Sequence, residues 1–328
     1  MEKIIKAIKD FDNYIVTSHI NLEGDSLGSQ LAMANLLKCL GKNFILLDND
    51  KVPSRYHFLP NVNLVQNKLN AKAKGYEVAI VLDCPNLKRT GRVKQVVDKM
   101  KFVINIDHHV SNERFGDVNW VEKEASSVGE MIYKLYKGLD CRINKETALY
   151  LYISILTDTG SFNYNNTSSA THEIVSELLG YGIEPYNVSQ SIYENKSLDE
   201  IRLLGKALSG LKLALGKRVA YMYISKKLFQ KTRTRMTACE NFVNFARSVK
   251  GVDVAAIFTE DIKKSGLFHV SFRSTKDVDV NKIASAFGGG GHKNASGCTV
   301  RGSFAKVKNR VLRKIDEELR AKRLTACR

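Results

Sequence analysis

In Tyr14-Ile15-Val16-Thr17-Ser18-His19-Ile20-Asn21-Leu22-Glu23-Gly24-Asp25 an apolar run passes into a polar loop, and this sequence carries the clearest structural signal in the chain. The apolar run, Tyr14 to Thr17, predicts a β-strand. The sequence after the loop has apolar residues at helical spacing and predicts a helix from Ser26 to Leu40, closed by Gly41. A strand that leads through a glycine-containing loop into a helix is typical of α/β proteins.

The same alternation continues over the first 190 residues. Further strands are predicted at Asn43 to Leu47, Glu77 to Leu82 and Lys101 to Ile106, and helices at Val128 to Tyr136 and Lys145 to Leu156. Strands that alternate with helices pair in parallel, because each helix carries the chain back to the start of the next strand. The sequence therefore predicts a doubly wound, mostly parallel sheet.

The chain is long enough for a second domain, since 328 residues exceed the usual size of one hydrophobic core. Helical patterns at residues 170–180 and 186–215 lead out of the first region, and the composition becomes basic near residue 201. We therefore predict an α/β domain at 1–186, a helical linker at 187–205 and a smaller α/β domain at 206–328. The elements predicted in the smaller domain are strands at Arg218 to Ile224, Val252 to Thr259 and Phe268 to Arg273, and helices at Cys239 to Lys250 and Ala305 to Arg323.

The net charge of +17 is concentrated in the second part of the chain. Residues 1–200 hold 23 basic and 25 acidic residues, whereas residues 201–328 hold 28 basic and 9 acidic residues. A modest basic excess usually serves solubility alone, but this asymmetry favours a polyanionic partner, because clustered cations attract phosphates over long range. The basic residues from Lys306 to Arg323 alternate with apolar ones and predict an amphipathic helix, whose basic face is either solvated or in contact with nucleic acid.

Cysteine usage and hydropathy indicate where the protein works. The six cysteines are scattered without a Cys-x-x-Cys pair, which disfavours structural zinc and a disulfide framework and favours a reducing compartment. No apolar run approaches the length of a membrane span, and the N-terminal sequence lacks the apolar core of a secretory signal. We expect a cytoplasmic protein with no membrane partner.

Acidic and imidazole side chains follow three of the predicted strands. His19, Glu23 and Asp25 follow the first strand, Asp83 follows another, and Asp107-His108-His109 follows the next. The carboxyl ends of parallel strands meet at one edge of a sheet, where open α/β folds bind their ligands. Carboxylates gathered there need cations, and imidazole with oxygen ligands and no thiolate favours Mn²⁺ or Mg²⁺. The sequence therefore predicts a divalent metal site.

Two further segments are candidates for the same site or its substrate. Asp158 follows the helix predicted at Lys145 to Leu156, and taken alone it is as readily a helix C-terminal or turn aspartate as a ligand. Gly288 to Gly291, followed by His292, predicts a loop whose backbone N–H groups hold a phosphate. A flexible linker is the alternative, but it is disfavoured because a strand-like sequence begins at Ser296.

Taken together, these motifs point to a known family. Asp107-His108-His109, with the first segment, Asp83 and Asp158, resembles the four-motif signature of the DHH phosphoesterase superfamily. The run from Phe287 to Gly297 resembles the glycine-rich motif of the DHH-associated domain, and Ser271-Phe272-Arg273-Ser274 is similar to the arginine strand that precedes it. The match spans essentially the whole chain and looks most like the NrnA-type oligoribonucleases and pAp phosphatases.

The resemblance implies two divalent cations, with Mn²⁺ favoured, in a DHH domain at 1–186. The first ion would be bound by His19, Glu23 and Asp83, and the second by Asp25, Asp83, His108 and Asp158. Asp107 would fix the orientation of an imidazole, and His109 would face the substrate phosphate. The substrate-binding residues that the resemblance implies in the DHH-associated domain are Arg273, Gly289, Gly290, Gly291 and His292.

One position departs from the family pattern. The chain has Leu22-Glu23 where the family usually has Pro-Asp. Glutamate keeps the charge but adds a methylene, so the first ion can sit differently or bind less tightly. We predict that Glu23→Asp keeps or improves activity and that Glu23→Gln loses it.

The resemblance and the motifs together predict a Mn²⁺-dependent phosphoesterase that hydrolyses short oligoribonucleotides to 5′-mononucleotides and also dephosphorylates 3′-phosphoadenosine 5′-phosphate (pAp). A cyclic or linear dinucleotide phosphodiesterase with the same site stays open, as does a non-catalytic nucleic-acid-binding protein. An inorganic pyrophosphatase or exopolyphosphatase is disfavoured, because Arg273 and the glycine-rich segment suit a nucleotide. A homodimer is an expectation from the family alone.

Overall fold

The computed structural model describes residues 1–68, 75–239, 241–275 and 278–326, with side chains in the last helix up to residue 321. Its internal contacts divide the chain into two compact units, residues 1–195 and 196–328. The division falls inside the range 187–205, whose limits as a linker stay a prediction. The predicted fold class is confirmed, since the first unit has a parallel sheet and the second a smaller α/β arrangement with a mixed sheet.

The elements of the first unit alternate as the sequence predicts. Its helices are α1 (Glu2–Asp10), α2 (Gly24–Cys39), α3 (Lys94–Val97), α4 (Val128–Gly138), α5 (Lys145–Asp158), α6 (Ser169–Leu179) and α7 (Pro185–Tyr193). Its strands are β1 (Tyr14–Thr17), β2 (Phe44–Leu47), β3 (Val65–Gln66), β4 (Val78–Leu82), β5 (Phe102–Asp107) and β6 (Val118–Val121). Short 3-10 segments occur at Ser54–Tyr56, Val62–Leu64 and Leu87–Val93.

The strand order of the first unit creates a crevice at one edge of its sheet. The order is β3-β2-β1-β4-β5-β6, and each of these neighbouring pairs is parallel. The chain moves outward from β1 in one direction and then starts again at β4 in the other. Between the carboxyl ends of β1 and β4 the order therefore reverses, and doubly wound sheets bind their ligands at this point. We call it the reversal point.

Apolar side chains cover both faces of this sheet. Ile80 belongs to a core that includes residues of α2, α4 and α5, whereas its neighbour Ala79 packs on the opposite face with Val93 and Val97. All five residues of β4 are buried, as expected of a parallel strand covered on both sides. The strands therefore hold their carboxyl ends rigidly.

Helices α2 and α5 approach each other closely because Gly28 has no side chain. A Cβ atom at Gly28 would lie 2.4 Å from the backbone carbonyl oxygen of Tyr150. Since α2 begins at Gly24 and α5 ends at Asp158, this contact fixes the two helices beside the reversal point. Gly28 therefore allows α2, which contains Asp25, to pack closely against α5, which contains Asp158.

The second unit has a mixed sheet. Its helices are α8 (Leu198–Ser209), α9 (Lys226–Thr232), α10 (Phe242–Arg247), α11 (Val280–Ser285) and α12 (Phe304–Ala326), with a 3-10 segment at Met236–Cys239. Its strands are β7 (Lys212–Ala214), β8 (Val219–Ile224), β9 (Val254–Glu260), β10 (Leu267–Ser274), β11 (Gly290–His292) and β12 (Ala295–Arg301). The order is β11-β12-β10-β9-β8-β7, in which β8 and β9 are parallel and the other pairs antiparallel.

The predicted amphipathic basic helix is α12. The side chains of α12 that are buried in the core of the second unit are Val307, Val311, Ile315 and Leu319. Its exposed basic side chains include Lys306, Arg310, Arg313 and Arg320. The helix is therefore docked by its apolar face and presents a cationic face.

Two local predictions were wrong. The helix predicted across residues 186–215 is interrupted, because Ser197 caps a new helix, α8, through a reciprocal capping box with Glu200, and β7 follows it. Asp158 is the last residue of α5 rather than a residue after the helix. The strands β3, β6, β7 and β11 were not predicted, because β3, β7 and β11 have only two or three residues and Asn119 interrupts the apolar sequence of β6.

In the part of the chain that the structure describes, no helix combines the length and the apolarity needed to cross a bilayer. The free thiols are those of Cys39, Cys84, Cys141, Cys239 and Cys298, and Cys327 lies outside the described residues.

Candidate metal centre

Polar residues that follow β1, β4 and β5 meet at the reversal point. His19 is two residues past β1, Asp83 directly follows β4, and Asp107 ends β5. Their exposed fractions are only 7%, 3% and 0% respectively. Apolar strands thus deliver ionisable side chains to a place that is shielded from water.

Asp83 is the centre of this cluster. Its Oδ2 lies 3.2 Å from Nε2 of His19, and its Oδ1 lies 3.7 Å from Nε2 of His108 and 3.5 Å from Nδ1 of His109. Its backbone φ is 52°, which is unusual for a residue other than glycine, and its N–H donates to the carbonyl oxygen of Ile106 at 3.0 Å. A non-glycine residue held in this conformation is often functional, because the surrounding structure must impose it.

His19 and Glu23 lie on one side of Asp83. Nδ1 of His19 is 2.6 Å from the carbonyl oxygen of Ile20, which assigns the ring proton to Nδ1 and leaves Nε2 as the ligand atom. Glu23 is the N-cap of α2, where its Oε1 accepts from the backbone N–H of Ser26 at 2.8 Å. A polar loop that caps a helix was the alternative interpretation of this segment, although the helix was expected to begin only at Ser26 and α2 begins at Gly24.

His108 lies on the other side of Asp83, among three carboxylates. Its Nε2 is 3.3 Å from Oδ2 of Asp158 and 3.7 Å from Oδ2 of Asp25, in addition to its approach to Asp83. Its Nδ1 is 3.0 Å from the carbonyl oxygen of Ala125. A ring whose Nδ1 donates to a carbonyl presents Nε2 with a lone pair, as a metal-binding histidine does.

Asp25 is held by the start of α4 and by α5. Its Oδ2 accepts from the N–H of Val128 at 2.9 Å, and its Oδ1 accepts from the N–H of Gly129 at 3.2 Å and from the hydroxyl of Ser154. A Cβ atom at Gly129 would lie 2.0 Å from Oγ of Ser154, so glycine is needed for this approach. The N-terminus of a helix favours an anion, which helps to keep Asp25 in place.

Asp107 orients His109 rather than joining the ring of carboxylates around His108. Its Oδ1 accepts from Nδ1 of His109 at 2.7 Å, and its Oδ2 accepts from Nδ2 of Asn112 at 2.6 Å. Although burial alone would raise the pKa of Asp107, His109 and Asn112 together lower it far below the usual range. An ionised Asp107 fixes the tautomer of His109 and stabilises its protonated form.

The ionised forms of the other carboxylates are unfavourable unless a positive charge lies beside them. Burial raises the pKa of Asp25, Asp83 and Asp158. Neighbouring carboxylates raise the pKa of Asp25 and Asp83 further, whereas His108, His109 and His19 oppose the rise at Asp158. Burial alone lowers the pKa of His108, but the surrounding carboxylates outweigh it and raise this pKa to about 10. Carboxylates that destabilise one another in a shielded site are the environment that a divalent cation relieves.

The donor atoms fit divalent cations in number and spacing. Three-residue groups, His19 with Glu23 and Asp83, and Asp25 with Asp83 and His108, each offer ligand atoms that lie within 4.8 Å of one another. Ligands around a six-coordinate ion with bonds of about 2.1 Å lie about 3 to 4 Å apart. The two groups share Asp83, and imidazole with carboxylate oxygens suits a first-row divalent ion.

Arg273 of the second unit lies near the end of β10. It is partly buried, and its Nη1 donates to the carbonyl oxygen of Phe272 at 2.9 Å. Its Nε is shielded from solvent and has no hydrogen-bond partner within the described residues. A guanidinium with an unsatisfied donor is suited to bind an anion.

The glycine-rich segment is a tight turn and a short strand. The N–H groups of Gly288 and Gly289 donate to the carbonyl oxygens of Ser285 and Ala284, both at 2.9 Å. These two amides are therefore already bonded, and Gly290–His292 forms β11 beside β12. A Cβ at Gly289 would lie 2.1 Å from the carbonyl oxygen of Gly297, so close backbone packing explains this glycine without a ligand. The phosphate-binding role of Gly289, Gly290, Gly291 and His292 stays a prediction.

Sequence reasoning missed several residues that support the centre. Asp48 directly follows β2, is 1% exposed, and accepts from the N–H of Ser18 at 3.1 Å beside His19. The pattern that singled out Asp83, an apolar run ending in aspartate, is also present at Asp48 and could have found it. Ser154 and Asn112 carry no such signal, because ordinary polar residues in a helix or a loop give no sign of a distant partner.

Two family models match the chain. The model described as DHH family, N-terminal domain, matches residues 13–155, and the model described as DHHA1 domain matches residues 216–321. The first match covers β1 to most of α5, and with them every residue of the candidate centre except Asp158.

Full-length relatives and one solved structure are similar to the whole chain. The chain is 30% identical over 319 residues to the bifunctional oligoribonuclease and PAP phosphatase NrnA of Thermus thermophilus, with 97% of this chain and 93% of the relative covered. It is 29% identical over 303 residues to the protein of the same name from Bacillus subtilis, with 91% and 92% covered. A crystal structure of an exopolyphosphatase-related protein from Bacteroides fragilis is 27% identical and covers 96% of this chain and 95% of its own, with a TM-score of 0.88.

Proposed function

Since this chain belongs to the DHH phosphoesterase family, we propose that it is a Mn²⁺-dependent enzyme that hydrolyses short oligoribonucleotides to 5′-mononucleotides. A second substrate in this proposal is pAp, which the names of the relatives suggest. The observation that carries the proposal is Asp83, a buried carboxylate that two groups of potential metal ligands share at the reversal point. Free thiols at five positions favour a reducing compartment, and we place the reaction in the cytoplasm.

With RNA the reaction is hydrolysis of a phosphodiester bond, and with pAp it is hydrolysis of the 3′-phosphate monoester, which gives 5′-AMP and phosphate. Water adds to phosphorus, the bond from phosphorus to the neighbouring 3′ oxygen breaks, and the products are a 5′-phosphate and a 3′-hydroxyl. His19, Glu23 and Asp83 would hold one divalent cation, and Asp25, Asp83, His108 and Asp158 a second. Bound there, such cations polarise the phosphoryl oxygens and lower the pKa of an attacking water.

The protein's own groups orient the reactants. The carbonyl oxygens of Ile20 and Ala125 fix the tautomers of His19 and His108, so that both rings present Nε2. Asp107 accepts from Nδ1 of His109, and a protonated His109 can therefore donate from Nε2 to a phosphate oxygen. Charge stabilisation of this kind contributes most of the catalysis in phosphoryl transfer.

Recognition of the nucleotide is assigned to the second unit. We propose that Arg273 binds a phosphate or a base through its unsatisfied Nε, and that Gly290, Gly291 and His292 contribute beside it. The exposed basic face of α12 would raise the local concentration of anionic substrate in a salt-dependent way. A homodimer stays a prediction from the family.

The test is turnover of a labelled RNA dinucleotide and of pAp, each with Mn²⁺ and with EDTA. The expected result is release of mononucleotide from the dinucleotide in Mn²⁺ and none in EDTA, with Asp83→Asn as the inactive control. If Mn²⁺ binds but neither substrate is turned over, the assignment of short RNA and pAp is wrong. If the unmodified protein and Asp83→Asn bind RNA equally well and neither cleaves it, the chain is a non-catalytic RNA-binding protein.

A further inference from the structure

Arg89 lies in the first unit near the candidate metal centre, and its guanidinium is unpaired within the described residues. It lies in the 3-10 segment Leu87–Val93, six residues after Asp83. Its Nη1 is shielded from solvent, and the guanidinium makes no hydrogen bond or ion pair with any residue that the structure describes. A shielded cationic donor is costly when unpaired, so its position calls for an anion.

The backbone of this segment is fixed against the loop that carries His19. The N–H of Ile20 donates to the carbonyl oxygen of Arg89 at 2.7 Å. Gly91, at φ 63°, packs so closely that a Cβ there would lie 2.6 Å from Oδ1 of Asn49 and 2.8 Å from Cγ2 of Ile20. The backbone at Arg89 is therefore held in place beside the reversal point.

The electrostatics of two neighbouring groups agree with this position of Arg89. Burial, and after it the positive charge of Arg89, lowers the pKa of His19. Burial raises the pKa of Cys84, and Arg89 opposes this rise. His19 follows β1 and Cys84 follows Asp83, so the guanidinium acts on the carboxyl ends of both strands that border the crevice.

The charge balance of the centre leaves a place for one more cation. The acidic residues gathered there are Glu23, Asp25, Asp83, Asp107 and Asp158. Two divalent cations would offset four of these five charges and a protonated His109 would offset the fifth, on Asp107, so the negative charge of a substrate phosphate still needs a counter-charge. A fixed guanidinium beside the centre offsets the charge that the substrate brings.

We propose, on the basis of the function given above, that Arg89 binds a phosphate oxygen of the substrate beside the ligand group formed by His19, Glu23 and Asp83. The planar guanidinium offers parallel N–H donors that match two oxygens of one phosphate. Arg89 is thus a second arginine for the substrate, in addition to Arg273, and it belongs to the first unit.

Arg92 provides a matched control from the same segment. Its Nε and Nη2 already donate to Oδ1 and the carbonyl oxygen of Asn49, at 3.3 Å and 3.0 Å, and its side chain is exposed. Arg89→Ala and Arg92→Ala remove the same charge three residues apart. Only the first is expected to affect the binding of a phosphate.

The first measurement is the affinity of the Mn²⁺-loaded protein for 5′-AMP, by calorimetry. Arg89→Ala is expected to weaken AMP binding about tenfold or more, since a charge-assisted hydrogen bond is lost. Arg92→Ala is expected to stay within about twofold of the unmodified protein, because its guanidinium is bonded elsewhere. Arg89→Gln, which keeps most of the side-chain length, replaces the alanine variant if that variant does not fold.

The second measurement is turnover of an RNA dinucleotide with added guanidinium. Guanidinium at millimolar concentration is expected to restore part of the activity of Arg89→Ala, whereas methylammonium, which lacks the planar fork, is expected to restore less. A residue that merely supports the fold would not respond to either cation.

Two results would overturn the assignment of Arg89. One is AMP affinity and kcat/KM that stay within about twofold of the unmodified protein in Arg89→Ala, a change smaller than a charge-assisted hydrogen bond provides. The other is a loss of Mn²⁺ affinity that equals the loss of activity, which would mean that Arg89 supports the metal loop. An unmodified protein that binds AMP but cleaves no RNA would contradict the proposed function and leave the AMP comparison decisive for Arg89.

Discussion

The candidate functional residues of the two units differ in burial and in charge. In the first unit, His19, Asp25, Asp83 and His108 are almost fully buried and lie within a few ångströms of one another. In the second unit, Arg273 is only partly buried. The glycines beside β12 have no side chains, so they can offer a ligand only their backbone groups and carry no negative charge. The first arrangement concentrates negative charge that is costly until cations bind, whereas the second has one guanidinium donor that lacks a partner within the described residues.

In the proposed function, this difference corresponds to a division between chemistry in the first unit and substrate recognition in the second. Buried carboxylates that repel one another are poised to bind cations, and the free energy of binding then stabilises the unit. A guanidinium with an unsatisfied donor is poised to bind an anion and needs no metal. Variants of the metal-ligating residues in the first unit should therefore change metal affinity and turnover, and variants in the second unit should change substrate affinity alone.

The largest effect is expected for Asp83→Asn. Turnover should fall about a thousandfold or more, because both ligand groups lose their shared carboxylate. Without metal, however, the variant should melt at a higher temperature than the unmodified protein, since one of several repelling buried charges is removed. Asparagine tolerates the positive φ of residue 83, so the backbone should not change.

Melting temperatures measured with and without Mn²⁺ test whether Asp83→Asn is the more stable protein without metal and the less stable one with it. The unmodified protein should gain stability from Mn²⁺, and Asp83→Asn should lose most of that gain. Asp98→Asn is the control, since Asp98 is exposed and pairs with Lys94 on the surface of the same unit. Equal Mn²⁺-dependent shifts in Asp83→Asn and the unmodified protein would remove Asp83 from the metal centre.

Arg273→Ala tests the second unit. The KM for an RNA dinucleotide should rise roughly 10- to 100-fold, because the charge-assisted contact is lost. The Mn²⁺-dependent melting shift should stay unchanged, since no described metal-ligand group depends on Arg273. Steady-state kinetics and melting curves measure both, and Arg301→Ala, at the exposed end of β12, is the control. A changed metal shift would contradict the division of roles between the units.

Asn112→Ala should have a smaller effect in the first unit. Nδ2 of Asn112 donates to Oδ2 of Asp107 at 2.6 Å and to Oδ1 of Asn105 at 2.8 Å. Without it, Asp107 orients His109 less firmly, and kcat should fall about tenfold while Mn²⁺ affinity changes little. Stability should also fall by about 1 to 3 kcal/mol, because buried acceptors lose their donor.

Kinetics and chemical denaturation of Asn112→Ala provide the measurement. Asn112→Asp is the informative contrast, because it has nearly the same shape but replaces the donor with a second carboxylate beside Asp107. It should be more damaging than alanine. An aspartate variant as active as the unmodified protein would show that this hydrogen bond does not matter.

The sequence was sufficient for the parts of the centre that depend on strands. Asp83 and Asp107 end apolar runs, and the alternation of strands and helices predicts that such ends meet at one edge. It was not sufficient for the contacts that hold the ligands. Asp25 is bonded to the N–H of Val128 and to Ser154, which lie 103 and 129 residues further along the chain, and only tertiary packing brings them together.

The smallest effect is expected for Glu23→Asp, at the position where the chain departs from the family pattern. Aspartate is a better N-cap than glutamate and keeps the charge, so activity and stability should stay within about threefold and 1 kcal/mol of the unmodified protein. Glu23→Gln separates the two roles of the side chain, because its amide oxygen can still accept from the N–H of Ser26 while the charge is lost. Melting curves and turnover at limiting Mn²⁺ distinguish them: a glutamine variant that keeps the cap but loses turnover makes Glu23 a ligand, whereas full turnover leaves it a helix cap alone.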